Sequence, residues 1–490
     1  MPVFSLPDGV GIGDLGKASF RFIDFLKAAG QTVWQLLPLG PSAQGNSPYS
    51  SDSAFAGNPL LINCESLVDD GLLTADQLTA ANYVDGNIGH VEYDRARSIK
   101  KQLLKAAFAA FQVLENSLLK QSFSEFCARN EYWLVDFARF DALAIDLGDP
   151  DWSTWDAELV KREPSALTAV DRRLPEEILF AKFEQFLFAG QWQKLKAYAN
   201  LHGIRIYGDM PIFVAYESVD VWTNQDLFLL NEVGRPTVVA GVPPDYFSTT
   251  GQMWGNPLYR WDRLAQNNYA WWTNRFRQAF EFYDILRIDH FRGFESYWEI
   301  PADAKNAIGG QWKQGPGEAP FHAAQAALGE LAIVAEDLGL ITDPVHELRE
   351  RLGFPGMRVL QFGCDHDNDP YHRPDCYPTH CVAYTGTHDN DTLMGWYNER
   401  QANGTDNSIV DRFLLNGANS VHQDLIQVVL NSAADTAIVP MQDLLGLGSE
   451  ARTNTPGKPN ENWGWRCNPA DLSDQLAAEL RLWTVSAGRI

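Results

Sequence analysis

The sequence predicts an α/β fold, a (β/α)₈ TIM barrel with helical and loop subdomain insertions, on three observations. Short apolar runs recur at residues 32–37, 204–209, 285–289, 332–336, 357–362, 381–384 and 436–442. Continuous apolar runs of this length, several rich in Val and Ile, read as buried parallel strands. Helical patterns at 19–29, 183–201, 268–282 and 319–331 precede the first four runs, and such alternation indicates βα units. At least four of these segments end in acidic residues, which converge if the strands are parallel and closed around one mouth.

The 490 residues are read as one catalytic barrel, 1–490, because barrels with insertions exceed ~400 residues. Residues from about 65 to 190 read as a largely helical insertion. Thr74-Ala-Asp-Gln77 has the form of a capping box, and 97–119 carries apolar residues at helical spacing. Residues of about 210–265 are rich in Gly, Pro, Trp and Tyr with little periodicity, and read as a loop-rich substrate-binding insertion.

Composition narrows the function. Lys and Arg number 39 against 63 Asp and Glu, a net charge of −24. Such a surface repels phosphate backbones and anionic lipid, which argues against nucleic-acid and membrane partners but not against a neutral ligand. Aromatic residues are abundant, with 16 Trp, 16 Tyr and 27 Phe. Most fill a core, and the remainder have faces suited to sugar rings. The six cysteines form no C-x-x-C pair, so neither a disulfide framework nor a structural zinc site is expected. Residues 1–13 lack the features of a signal peptide, and no apolar stretch of about 18 residues is present. A cytoplasmic protein is the expectation.

Two familiar motifs fail on context. Gly11-Ile-Gly13-Asp-Leu-Gly16 matches G-x-G-x-x-G, but Pro7 and Gly9 break the strand a dinucleotide fingerprint needs before it. Asp365-His-Asp367-Asn-Asp369 resembles the start of a calcium loop, yet position six is Pro370 and position twelve is Cys376.

The strand-end carboxylates carry the chemistry. In Leu286-Arg287-Ile288-Asp289-His290, Arg287 and Asp289 share a face. A neighbouring guanidinium lowers a carboxylate pKa and keeps it ionised, as a nucleophile requires. The alternative is a structural salt bridge. In Val334-Ala-Glu336-Asp337, alternation lets only one acid face inward. Glu336 shares a face with Val334, so an apolar wall would raise its pKa as a general acid requires, while Asp337 would cap the following turn. Thr387-His388-Asp389-Asn390-Asp391 and Tyr207-Gly208-Asp209 complete the set. Two carboxylates facing each other across a neutral ligand indicate glycoside chemistry, with a third holding sugar hydroxyls.

These stretches resemble the 4-α-glucanotransferases known as amylomaltase or disproportionating enzyme, within the α-amylase-like clan. The resemblance rests on Ser47-Pro-Tyr49, Ser53–Pro59, Gly208–Ala215, Gly241–Phe247, Gly251–Pro257, 286–293, 335–339, 387–391 and Arg452–Gly457, spread over nearly the whole chain. It implies a retaining double displacement, with Asp289 as nucleophile, Glu336 as acid/base and Asp389 as the transition-state stabiliser. It also implies that Tyr49, Asp209, Arg287 and His388 line the donor side, and that Tyr246, Phe247 and Trp254 cradle the glucan near the cleavage and acceptor sites. His290 and Asn256 would also bind substrate, and Asn462 would reach the chain. Maltooligosaccharides and starch- or glycogen-derived glucans would be the partners, with no cofactor and no metal. The Asp289–Glu336 carboxyl separation would be ~5–5.5 Å. Two positions depart from the usual pattern. Glu461 stands where Gly often precedes Asn-Trp, and Tyr371-His-Arg-Pro374 replaces a Tyr-Leu-Pro-His run. These bear on acceptor preference and product size. A hydrolase of the same clan would share the intermediate but pass it to water. A catalytically inert glucan-binding protein conflicts with the intact carboxylates, and a phosphate-handling barrel conflicts with the net charge.

Overall fold

The computed structural model describes all residues except 43, 85–88, 116–117, 245–247, 366–369, 415–419 and 459–460. Eleven strands occur among the described residues: β1 (Val33–Gln35), β2 (Arg205–Pro211), β3 (Val238–Val242), β4 (Gln252–Pro257), β5 (Ile285–Asp289), β6 (Ser296–Pro301), β7 (Gln311–Gln314), β8 (Ile333–Ala335), β9 (Gly356–Val359), β10 (Cys381–Tyr384) and β11 (Thr436–Ile438). Seven of them run parallel in two ladders, ordered β1-β2-β5-β8 and β11-β10-β9. The ladders adjoin where the Ala335 amide donates to the Pro355 carbonyl over 3.0 Å.

Helices Lys17–Ala28, Pro175–Leu201, Ala270–Phe282 and Ala319–Leu328 precede β1, β2, β5 and β8 respectively, so each forecast helix–strand pair is present. Their ends differ by a few residues. The fourth stops early because Gly329 takes φ +86°, a conformation glycine adopts without steric cost. Two apolar runs are split. Only Gly356–Val359 of the run at 357–362 is extended before helix Leu360–Asp365, and β11 ends before helix Met441–Leu444. Apolar continuity alone does not separate strand from buried helix.

Helices, long and short, fill the stretch from Ser66–Asp69 to Pro175–Leu201. Thr74 and Gln77 form the reciprocal capping box. The helix read at 97–119 is Tyr93–Val113, ended by an extended Leu114. The stretch read as loop-rich at 210–265 contains β3 and β4, which join β6 and β7 in an antiparallel sheet ordered β4-β3-β6-β7. β3 pairs with β4 and with β6, Val238 opposite Pro301; β3 is buried and β4 exposed over three successive residues, so neither shows the in–out alternation that marks a strand.

Trp34, Trp152, Trp192, Trp222 and Trp272 are wholly buried, whereas Trp254 and Trp312 are 38% and 41% exposed. The core reading therefore holds for most indoles. All six cysteines are free. The glycine-rich turn at 11–16 follows a 3₁₀ turn, Val3–Ser5, and not a strand. No helix among the described residues is long and apolar enough to cross a membrane.

Lys100 fastens the helical insertion to the frame. Its ammonium, 1% exposed, donates to Asp14 (2.8 Å) and to the carbonyls of Leu60 (2.7 Å) and Ile62 (2.8 Å). Removing one partner of a buried pair strands the other charge. Lys100→Met is expected to lower unfolding stability by about 3–5 kcal/mol in denaturant titrations; a loss under ~1 kcal/mol would contradict this role.

Candidate active site

Strand register assembles the charged centre. Asp209 on β2 lies opposite Arg287 on β5, and Ile288 lies opposite Ala335 on β8. One residue further, Asp289 and Glu336 leave adjacent strands side by side, and the Glu336 amide donates to the Ile288 carbonyl (3.0 Å). Arg287 is buried at 4% exposure. One terminal nitrogen contacts both Asp209 oxygens, at 2.8 and 2.7 Å, and the other pairs with Asp289 Oδ1 at 2.9 Å. Tyr49 donates its hydroxyl to Asp209 Oδ2 (2.7 Å) and stacks on His388, with ring centroids 5.1 Å apart.

Glu336 is held by two turns. The His290 amide donates to Oε2 (2.7 Å) and the Leu338 amide to Oε1 (2.8 Å). His290 takes the left-handed conformation, φ +53°. Burial pushes the Glu336 carboxyl up to about 8; Arg287 and the two amides oppose this, while Asp289 reinforces it. Burial also raises Asp289 above the usual aspartate value, against the pull of Arg287, with Asp209 and Asp389 adding to the rise. The expectation that Arg287 sets a net downward shift is therefore corrected, because desolvation outweighs the guanidinium. The His290 ring is buried and pushed down to about 3 by desolvation, so it is neutral over the physiological range.

Asp337 does not cap the following turn, contrary to expectation. It is 1% exposed and accepts from Arg349, the Tyr371 hydroxyl and the Met357 amide. It thus ties the end of β8 to β9, and Tyr371, the residue that the divergent 371–374 run keeps from the usual pattern, belongs to that support.

Asp389 lies in the turn after β10 and contacts His388 Nε2 at 3.3 Å. Asn454 donates to its carboxylate (2.6 Å) and Arg452 to its backbone carbonyl (2.6 Å). Buried Asp443 accepts from the Thr385 hydroxyl (2.6 Å) and the Leu393 amide (2.7 Å), clasping both ends of this turn. Trp463 completes an aromatic group, with centroids 6.0 Å from both Tyr49 and His388. Trp463, Asn454 and Arg452 were given no individual roles from sequence. The Arg452-Thr-Asn454 stretch is their only local signal, because their partners lie about 65 or more residues away.

Trp254 packs edge-to-face on His290 at 4.9 Å, beside Phe213. Asn256 donates to the Val214 carbonyl (2.8 Å), so it fastens β4 to the segment after β2. Asn462 accepts from the Thr455 amide and donates to the Lys458 carbonyl, within its own loop. Tyr246 and Phe247 fall outside the described residues, as does most of the 365–369 motif. Two hollows meet at the Arg287–Asp209–Tyr49 cluster. One is lined by Arg287, Thr387 and His388 and the other by Tyr49, Asp209 and Phe213; Asp289 and Glu336 line neither. No cluster of three or more His, Cys, Asp or Glu suited to a metal occurs among the described residues.

Paired carboxylates and aromatic faces thus stand together at the ends of a parallel α/β frame. A family model described as 4-alpha-glucanotransferase matches residues 1–472. The 4-alpha-glucanotransferase of Synechocystis is 47% identical over 99% of this chain and 96% of its own length. That of Thermus thermophilus is 45% identical over 99% and 97%. Among solved structures, amylomaltase from Streptococcus agalactiae in complex with acarbose superposes with TM-score 0.94 and 36% identity, covering 100% of this chain and 98% of that one. The chain belongs to the 4-alpha-glucanotransferase family and is an enzyme of the amylomaltase type.

Glu461 takes φ +66°, a region that costs a residue with a Cβ about 1–2 kcal/mol. Glu461→Gly is therefore expected to raise the melting temperature, with a gain of about 1 kcal/mol. A lowered melting temperature in thermal scans would contradict the strain assigned to that turn.

Proposed function

We propose that the two parallel ladders belong to a closed (β/α)₈ barrel that transfers α-1,4-glucan segments between maltodextrins by a retaining double displacement. The observation that carries this reading is the pair Asp289 and Glu336. They emerge in register from adjacent strands, one ion-paired to Arg287 and the other held in protonated form by burial.

Neighbouring strands lie about 4.8 Å apart. That spacing supports the ~5–5.5 Å carboxyl separation of retaining enzymes over the ~6.5–9.5 Å of inverting ones. The two acids are close enough to share charge, and only Asp289 has a direct cation. The proton therefore resides on Glu336. In the first step, Asp289 attacks the anomeric carbon while Glu336 protonates the departing glycosidic oxygen. A β-linked glucosyl-enzyme forms and the reducing-end fragment leaves. In the second step, Glu336, now ionised, takes the proton of an acceptor 4-hydroxyl, which attacks the same carbon and frees Asp289. Two inversions leave the product α-linked. Asp389, held by Asn454, would grip hydroxyls of the sugar at the cleaved bond. Tyr49, His388 and Trp463 would supply the stacking wall, and Trp254 with Tyr246 and Phe247 the acceptor side. Acarbose bound by the Streptococcus agalactiae relative supports an α-glucan oligosaccharide as ligand. Side chains supply both nucleophile and proton, so the reading requires no cofactor.

Three outcomes test it. Maltotriose should yield glucose plus longer chains with little gain in reducing ends, whereas a steady rise would mark a hydrolase. Asp289→Ala should abolish turnover, and Glu336→Gln should act only on donors whose leaving group needs no proton; normal maltodextrin activity in either variant overturns the roles. Because Glu336 must be protonated to act as acid, kcat/KM should fall as pH rises through about 8, and a flat profile from pH 7 to ~10 would count against it.

A further inference from the structure

Glu336 is gripped by amides from two separate turns, His290 after β5 and Leu338 after β8. Beneath them the strands are joined by the Glu336 amide and the Ile288 carbonyl. Above them one side chain spans the gap. Arg292 lies in the 3₁₀ turn Phe291–Phe294 and is 5% exposed. One guanidinium nitrogen donates to the Leu340 carbonyl, two residues past Leu338, and the other to Ser296 Oγ (3.2 Å). Trp312 on β7 covers the guanidinium, its ring centroid 3.9 Å away. Trp298, the cross-strand partner of Trp312, packs against it at 5.2 Å.

We propose that Arg292, clamped beneath Trp312, is a positioning residue for Glu336: it locks the two turns together so that both amides stay aimed at the carboxyl oxygens. The inference rests on Glu336 being the acid/base. Three features carry it. The His290 conformation, φ +53°, is one that costs ~1–2 kcal/mol and needs outside support. Arg292 is the planar, multi-donor cation suited to bridging two acceptors while stacking on an indole. Trp312 is 41% exposed on a strand at the edge of its sheet, so its conspicuous contact is the clamp and not a core.

The charged groups around Glu336 are Arg287 and Asp289 on β5, with Arg292 above. Loosening the turns removes hydrogen bonds that favour the ionised carboxylate, so the alkaline limb of the rate profile should move to higher pH. Trp312→Ala and Arg292→Lys both keep the local positive charge and isolate the geometric effect. With maltotriose each is expected to lose about tenfold in kcat with KM unchanged, the scale of a misplaced acid. Single-turnover fluoride release from α-maltosyl fluoride, which needs no proton, should stay near the wild-type rate. Wild-type kcat and pH profile in both variants, or equal losses on both donors, would overturn the inference. Glu336→Gln measured alongside separates the causes. If it discriminates between donors and the other two variants do not, the clamp alone is refuted. If it too loses equally on both, the acid assignment falls and the clamp with it.

Discussion

A single buried guanidinium organises the centre. Arg287 sits within the parallel ladder at 4% exposure, and an isolated cation there would carry a desolvation penalty of several kcal/mol. Asp209 and Asp289 compensate it from opposite ends. This requirement couples two neighbouring strands, because β2 must present Asp209 in register with Arg287 while β5 carries Asp289 two residues on. It also limits the charge available. Asp209, Asp289 and Glu336 face one guanidinium at the centre, and burial pushes Glu336, the acid without direct ion pairing, up to about 8. The division of labour between the two proposed catalytic carboxyls thus follows from how many cations the frame buries there.

Around that centre, strands set position and turns set direction. Alternation on β8 sends Glu336 one way and Asp337 the other. Asp337 therefore ends in a network with Arg349, Tyr371 and the β9 backbone. Adjacent acids serve different ends, one beside Asp289 and one binding strand to strand. Asp389 has no such strand support. Its turn is clasped at the base by Asp443 and its carboxylate is held by Asn454, from a loop far along the chain. The aromatic group has the same composite origin, since Tyr49, His388 and Trp463 come from three remote segments.

Much of this was legible in the residues. Apolar runs ending in acids located β2, β5, β8 and β10, and the shared face of Arg287 and Asp289 was readable from a period of two. The capping box at Thr74 is a local hydrogen-bond exchange and needs no tertiary information. Other features were hidden for definable reasons. β3 is buried and β4 exposed over three successive residues, so neither alternates and their window reads as loop. The direction of the Asp289 shift depends on desolvation, to which Asp209 and Asp389 add. Asn256 and Asn462, which resemblance placed at the ligand, have amides engaged with backbone groups. The strain at Glu461 is invisible without its φ angle.

By itself the sequence determined the α/β class, the family and the identity of the acidic groups, because those follow from short-range periodicity and from residues quoted in order. Only the tertiary structure decided how far burial raises the Glu336 carboxyl, which amides hold it and which arginine bridges the turns. Those properties arise from burial and from distances between segments that meet only when the chain is folded, and electrostatic strength depends on both.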